Sequence, residues 1–354
     1  MLYRENGQFK TSYRLDQQML PIRQDRLLMI GLLLAAFLVV PLLASDYMFR
    51  ALIVPFLILS ISAIGLNILV GYCGQISLGQ AAFMAVGAYA AYNLTVRIPE
   101  LNFLIVLALS GTIAAAVGVV FGVPSLRIKG LYLAVATLAA QFFIDWLFIR
   151  VKWFTNYSPS GSVSTSPIEI FGWVVDRPVD KYWLVLGIVV VMTVIAKNLV
   201  RSAIGRSWMA IRDMDVAASV IGIRPMHAKL TAFAVCSFYG GVSGALWGFV
   251  HLGAWEPLAF GIFLSFNMLF MIIIGGMGSL LGSFFGAAFI VLTPLFLNQL
   301  PTWIGIPMST AMISHLEFMI FGALIVFFLI AEPHGLARLW AIGKEKLRLW
   351  PFPH

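Results

Sequence analysis

Charge is the first thing this sequence is short of. Only 11% of its residues are Asp, Glu, Lys or Arg, against 61% hydrophobic, and the mean hydropathy is +0.95. A soluble globular chain carries about 25% charged residues. So few polar side chains cannot cover the water-facing surface of a 354-residue fold, so lipid has to be the solvent for most of the chain. In lipid every backbone donor and acceptor must find a partner inside the protein, which leaves helices or closed barrels. Period-two alternation is missing as well, and that excludes a barrel. Cysteine is scarce: Cys73 and Cys236 lie at or within apolar runs and define neither a disulfide framework nor a redox compartment.

Catalytic patterns are also missing. There is no His-Glu-x-x-His, no Cys-x-x-Cys and no Gly-x-Ser-x-Gly. The five histidines are scattered, four of them near the ends of apolar runs or in the tails, where interfacial histidines without a metal role are usual. The glycine cluster Gly275-Gly276-Met277-Gly278-Ser279-Leu280-Leu281-Gly282 lacks the Lys-Ser/Thr pair that a phosphate loop needs. No ATP site, metal site or other cofactor site is therefore expected in this chain, and no enzymatic activity. Ionisable groups near membrane depth are limited to Asp145, Glu317 and Arg97, all close to the ends of apolar runs. They form no chain of carboxylates across a bilayer, which weighs against an ion- or proton-coupled carrier.

What the sequence does contain is long apolar runs. Stretches of about 17–25 mostly apolar residues fall near 27–44, 52–70, 77–95, 102–121, 131–149, 183–200, 230–250, 258–275, 283–299 and 315–331. The expected fold is an all-α, polytopic transmembrane bundle of about ten spans, with eight to ten allowed. Short glycine-rich links join the second run to the third and the eighth to the ninth, so either pair can be a broken or re-entrant helix. Residues 1–26 are polar and mixed in charge, too long for the charged lead of a signal peptide. They read as an N-terminal segment, 27–331 as the membrane domain and 332–354 as a C-terminal tail. Seventeen of the 23 Lys and Arg fall on the side of the termini, and six (Arg50, Arg97, Arg150, Lys152, Arg177, Lys181) on the other. The positive-inside rule then places both termini in the cytoplasm and the 150–182 loop outside. This bias accounts for the net charge of +8, so nucleic acid is not an expected partner.

Small residues recur four apart at Gly118/Gly122, at Gly240/Gly244/Gly248 and at Gly278/Gly282/Gly286, a spacing that lets helix backbones approach closely. The long loop 201–229 is the other informative segment. Its stretch 207–221 predicts one amphipathic helix, with Arg212, Asp215 and Ser219 on one face and Trp208, Ile211, Ala218 and Ile221 on a more apolar one. Gly222 suits the position just past the helix end, and Pro225 blocks continuation. Such a helix either anchors in the headgroups or docks into a groove on a soluble partner.

The order Arg206, Ile211-Arg212, Asp215, Ala217-Ala218 and, three residues on, Gly222 resembles the Ala-Ala-x-x-x-Gly coupling loop of ABC importer permeases, the branched-chain (high-affinity hydrophobic) amino-acid permease family in particular. Four further motifs resemble that family in its order: Gly71-Tyr72-Cys73-Gly74-Gln75-Ile76-Ser77-Leu78-Gly79-Gln80; Gly130-Leu131-Tyr132-Leu133-Ala134 with Thr137-Leu138-Ala139; Gly275 to Gly282 with Gly286-Ala287-Ala288; and Glu332-Pro333-His334-Gly335-Leu336. Two departures stand out. Asp215 lies one place earlier than the family's usual acid, with Val216 between, and residues 155–161 match the family's external stretch only loosely.

The resemblance implies an ABC importer permease fold in the bacterial cytoplasmic (inner) membrane, with two cytoplasmic ATPase subunits that bind ATP and Mg, a second homologous permease subunit and a periplasmic solute-binding protein as partners. It implies that Arg206, Arg212, Asp215 and Gly222 shape the contact with the ATPase, and that Ile211, Ala217 and Ala218 pack in its groove. Gly74, Gln75, Ser77, Gly79 and Gln80 are candidates for the translocation path; the polar ones among them can equally serve to satisfy backbone groups freed by a broken helix. The implied solute is leucine, isoleucine or valine, with urea, short amides or related small organic molecules as relatives. A stand-alone carrier or a lipid-modifying enzyme is the rival class.

Overall fold

The computed structural model describes residues 11–12, 23–125, 131–158, 161–165, 167–304, 310–331 and 335–349. Helix dominates them because the apolar runs leave the backbone no water to bond with. The helices are α1 (Arg26–Leu43), α2 (Asp46–Tyr72), α3 (Gln80–Arg97), α4 (Phe103–Ser125), α5 (Leu131–Arg150), α6 (Pro178–Arg201), α7 (Ala203–Val220), α8 (Pro225–Leu252), α9 (Ile262–Gly275), α10 (Leu280–Ile304), α11 (Thr310–Ala331) and α12 (Gly335–Leu349).

Among the described residues, eight helices are long and apolar enough to cross a membrane: α1, α2, α4, α5, α6, α8, α9 with the turn that precedes it, and α10. Two of the ten expected spans behave differently. In α11 the apolar stretch is Met319–Phe328. In α3 the sequence is only mildly apolar, with Gln80, Asn93, Thr95 and Arg97 among its 18 residues. That helix has no need of a lipid-facing surface, since other helices enclose it and everything from Gln80 to Tyr89 is buried. The expected run 77–95 is also not helical throughout. Helix begins at Gln80, and residues 74–79 carry no regular structure.

At the centre α8 packs on α4, α3 and α2, while α9 and α10 form a second pair leaning on α2. Glycine makes the first group possible. A Cβ on Gly87 of α3 would run into the backbone of Gly241 on α8, and one on Gly244 would run into the Met84 carbonyl. Of the Gly240/Gly244/Gly248 stripe, Gly244 meets backbone, Gly240 the Phe83 and Gln80 side chains and Gly248 the Trp255 ring, the close approach that the four-residue spacing allows. Helix α1 lies at the edge, its apolar side chains exposed.

Among the described residues, the connection between α5 and α6 holds three of the four short strands. β1 (Val163–Ser164) pairs antiparallel with β4 (Ala254–Trp255), which follows α8. β2 (Ile168–Ile170) and β3 (Trp173–Val175) form a hairpin closed by Phe171 and Gly172. Both turn residues have positive φ, 49° and 81°, the pattern of a two-residue type I′ turn. The turn leaves Phe171 88% exposed at the tip. Asn93 and Arg97 at the end of α3 donate to the Phe154 and Trp153 carbonyls at 2.9 and 3.3 Å, fastening this loop to the bundle.

Candidate functional site

The motifs that lie far apart in sequence meet at one end of the bundle. Gly71, in the last turn of α2, sits directly on Gly278, with no room for a Cβ between them. One turn back on α2, Asn67 is fully buried and spans the α9–α10 turn. Its Nδ2 donates to the Ser279 carbonyl (2.8 Å), to Ser283 Oγ (2.9 Å) and to the Gly276 carbonyl (3.3 Å). Its Oδ1 accepts the Gly278 N–H at 2.8 Å. The first residue of α12, Gly335, closes the other side: a Cβ there would lie 2.6 Å from Gly276 N and from the Ile274 carbonyl. Glu332–His334 of that motif and Gly130 of the central one lie outside the described residues.

Between Gly71 and α3 the chain runs back into the bundle. Ala81 N–H donates to Ser265 Oγ at 2.9 Å, and Ser265 lies ten residues before Gly275, about 15 Å up α9 at 1.5 Å per residue. Only the start of the stretch 73–79 still bonds back to α2, so the donors beyond Gln75 need other partners. Gly74 and Gln75 N–H reach back to the Val70 and Leu69 carbonyls. Leu78 N–H donates to Thr137 Oγ1 of α5 at 2.9 Å. Gly79 passes so close to α5 that a Cβ would lie 2.6 Å from the Thr137 carbonyl. Ser265 Oγ in turn donates to Gln141 Oε1 (3.1 Å), and Gln141 Nε2 donates to Asp145 Oδ1 and the Phe260 carbonyl, both at 3.0 Å. Asp145 is therefore the end of a polar chain that supports the broken segment. Burial pushes the Cys73 thiol up to about 12, with Lys229 pulling the other way.

Helix α7 lies under this junction. Ser202 caps it, its Oγ accepting from Ile204 and Gly205 N–H. The end is a Schellman arrangement: Ile223 N–H to the Ala218 carbonyl (3.0 Å), Gly222 N–H to the Ser219 carbonyl (3.1 Å), and Gly222 at φ 91°. Pro225 both blocks continuation and opens α8 at its first turn. The sequence predicts one helix over 207–221. The structure instead starts it at Ala203 and breaks it at Met214, whose φ of −161° and ψ of 101° are extended. Despite the break, Trp208, Ile211 and Ala218 of the predicted apolar face are all buried, and only Ile221 is exposed.

Trp208 and Ile211 are buried against the bundle, Trp208 Nε1 donating to Thr231 Oγ1 at 3.0 Å. Ala218 is buried too. Ile211 and Ala218 thus face their own chain, which corrects the expectation that they enter a partner's groove. Arg206 is exposed and donates to the Arg201 carbonyl at 3.0 Å. Asp215 is half-buried and pairs with Lys229 at 3.7 Å. Ala217 and Gly222 are exposed. The open apolar surface is formed by Met214, Val216, Val220 (82% exposed) and Ile221 (74%), of which only Ile221 appears in the predicted apolar face.

The expected path residues divide. Gly74 is exposed and Gln75 half-buried, its Nε2 donating to the Cys73 carbonyl. Ser77, Gly79 and Gln80 are sealed inside the chain. Gln80 Nε2 donates to Ser62 Oγ at 3.1 Å, and Gln80 Oε1 accepts from Cys236 Sγ at 3.1 Å. These three satisfy groups around a broken helix, the alternative that the residue types allow, and line no open channel within the single chain. Sequence reasoning missed Asn67, Thr137, Gln141 and Ser265. An Asn inside the apolar run 52–70, and a Gln inside 131–149, were the available signals: each is too polar for lipid and has to be bonded to something.

The model of the family described as branched-chain amino acid transport system / permease component matches residues 48–329. The chain is 28% identical over 299 residues to the high-affinity branched-chain amino acid transport system permease protein LivM of Salmonella typhimurium, covering 78% of this chain and 67% of the relative, and equally so to that of Escherichia coli K12. A probable branched-chain amino acid transport permease protein LivM of Methanocaldococcus jannaschii is 23% identical over 318 residues, covering 78% of this chain and 89% of the relative. No solved structure matches the chain. The match from the start of α2 almost to the end of α11 takes in the whole junction except Gly335, and the chain belongs to the branched-chain amino acid transport permease family.

Proposed function

We propose that this chain is one of two related membrane-spanning subunits of an ATP-driven, binding-protein-dependent importer in the cytoplasmic membrane. Both termini lie in the cytoplasm, and the solute is a branched-chain or other small hydrophobic amino acid. Two ATPase subunits supply ATP and Mg, and this chain performs no chemistry of its own. One observation carries the reading: the second half of α7 exposes Val216, Val220 and Ile221 while its buried side holds it to the bundle. An apolar patch on a water-facing connection marks an interaction site, and a short helix presenting it suits a groove. A headgroup anchor would carry Lys or Arg along its flank. The second half of α7, from Asp215 to Val220, carries no Lys or Arg, and Asp215, its one charge, is paired with Lys229.

On the far side of the bundle the hairpin carrying Phe171 is the surface for the loaded binding protein. A cavity of 470 Å³ opens near it between the ends of α2, α6 and α8, lined by Arg50, Asp176, Lys181 and His251 together with Phe49 and Val54.

The test is a pull-down from detergent-solubilised membranes, comparing wild type with Val220→Asp/Ile221→Asp. Wild type is expected to retain an ATPase and a second permease, and the variant to lose the ATPase while still reaching the membrane. Wild type emerging alone, with solute uptake independent of ATP, replaces the importer with a stand-alone carrier. Uptake of leucine competed by valine but not by urea supports the amino-acid assignment.

A further inference from the structure

The guanidinium of Arg212 does not point away from the bundle. Its Nη1 donates to the Gly71 carbonyl at 3.0 Å. Gly71 lies in the last turn of α2, where carbonyls have no helical partner and the helix end carries partial negative charge. Arg212 is therefore a cationic cap on α2 supplied by a different helix. Asp213 holds the fork from the other side, its Oδ1 accepting from Nε at 3.0 Å and lying 2.9 Å from Nη2. The stem lies across Gly74, where a Cβ would come within 3.0 Å of Arg212 Cγ and where φ is 70°. Nη1 is also close to Gly278, at 3.4 Å from where a Cβ would stand.

Two further facts give this contact a mechanical meaning. Arg212 and Asp213 immediately precede the break at Met214. The buried half of α7 and the apolar open half therefore pivot at the residues that grip α2. Helix α2 itself runs 27 residues from Asp46 to Tyr72, about 40 Å at 1.5 Å per residue. Its opposite end supplies Phe49, Arg50 and Val54 to the cavity on the far face. We infer that Arg212 is a positioning residue that ties α7 to the C-terminal end of α2, so that displacement of the docked half of α7 moves α2 and the cavity it lines. This deepens the reading that α7 docks an ATPase and rests on it. It also reassigns Arg212 from a contact with the ATPase to a contact within the permease. Lysine cannot replace the fork, because one ammonium on a flexible stem cannot hold the Asp213 carboxylate and the Gly71 carbonyl in fixed directions together.

The full complex, reconstituted in proteoliposomes, tests this with Arg212→Ala, Arg212→Lys and Val220→Asp. Two readouts are taken: ATPase retained in a pull-down, and the fold-stimulation of ATP hydrolysis by binding protein loaded with leucine. Arg212→Ala is expected to retain the ATPase and to lose at least tenfold of the stimulation. Arg212→Lys retains the ATPase and recovers the stimulation only in part, a graded response that a merely structural role would not produce. Val220→Asp sheds the ATPase. If Arg212→Ala sheds the ATPase as Val220→Asp does, Arg212 is a docking contact and the inference is overturned. Full stimulation in Arg212→Ala overturns it as well. Retention of the ATPase by Val220→Asp instead removes the docking reading on which the inference stands, so the two failures are told apart by which variant misbehaves.

Discussion

The glycine segments at 71–80 and 275–282 look alike in sequence and each follows the end of a helix, yet they build different kinds of structure. In the second, Gly276 and Gly278 take φ of 122° and 77°, and only four residues separate α9 from α10. The helices then pack back on themselves at glycine, since a Cβ on Gly275 would run into the Gly282 carbonyl. In the first, α2 ends at Tyr72 and α3 begins only at Gln80. The stretch between them is tied at its start by Gly74 and Gln75 N–H to the Val70 and Leu69 carbonyls and further on by Leu78 N–H to Thr137 Oγ1. A backbone-on-backbone turn has one arrangement, because interdigitated packing tolerates little displacement. The first segment instead meets α5 at Leu78 through one hydroxyl, a single bond that can be released by itself. The 275–282 turn reads as the platform and the 73–79 stretch as the part that moves on it.

The largest effect is expected where the two touch. Gly71→Val puts a branched side chain into the Gly278 backbone and the Asn67 amide. Overpacking of this kind costs about 3 kcal/mol or more where backbone cannot shift. No folded, monodisperse protein should be recovered from the membrane by size-exclusion chromatography. A normal elution profile would mean that the platform and the strand are not in fixed contact.

Next is the clamp across the platform. Asn67→Asp preserves shape and still accepts from Gly278 N–H, but it offers no donor to the Gly276 and Ser279 carbonyls. A carboxylate facing two carbonyls in a fully buried site costs on the order of 3 kcal/mol. The apparent melting temperature in detergent should fall further for Asn67→Asp than for Asn67→Ala, which removes the donor without adding the charge. The reverse order would show that Asn67 is held by packing alone.

Much of this architecture is legible in the residues, and the unread part has a physical reason. Long apolar runs give the spans because lipid enforces internal backbone bonding. Gly222 and Pro225 give the end of α7 because a positive φ and a missing N–H are local requirements. The break at Met214 was not readable, since nothing in Asp213-Met214-Asp215 disfavours helix strongly. Helix α3 shows the opposite case. Its modest hydropathy makes it a poor span by composition, and only the surrounding helices explain why it tolerates Gln80 and Asn93. The convergence of motifs on one junction was likewise hidden, because contacts such as Asn67 with Ser279 join residues more than two hundred apart.

A smaller effect separates the strand from its supports. Thr137→Val keeps the shape and removes the hydroxyl that accepts from Leu78 N–H. The expected loss is about 1 kcal/mol, since hydrogen bonds between membrane helices are individually weak. Melting should change by only a few degrees. Proteolysis or labelling within 73–79 should nonetheless become faster, and an unchanged rate would mean that the hydroxyl does not hold the strand.

The last prediction uses the two cysteines as reporters of the same contrast. Cys73 opens the strand, whereas Cys236 lies on α8 with its thiol donating to Gln80, and both are fully buried. A thiol reacts through its thiolate. With the Cys73 value raised to about 12, the thiolate fraction at pH 9 is still only about 10⁻³, against a majority for an ordinary thiol near 8.5. Maleimide should therefore label neither cysteine in the resting protein at pH 7.5, and raising the pH to 9 should hardly help. If the proposed ATP-driven cycle releases the Leu78–Thr137 bond, Cys73 is expected to label during turnover while Cys236, whose thiol donates to Gln80 of α3, stays protected. Cys73→Ser identifies which thiol responds. Equal labelling of both would mean that the bundle opens as a whole, and labelling of neither would mean that the strand is as fixed as the turn it rests on.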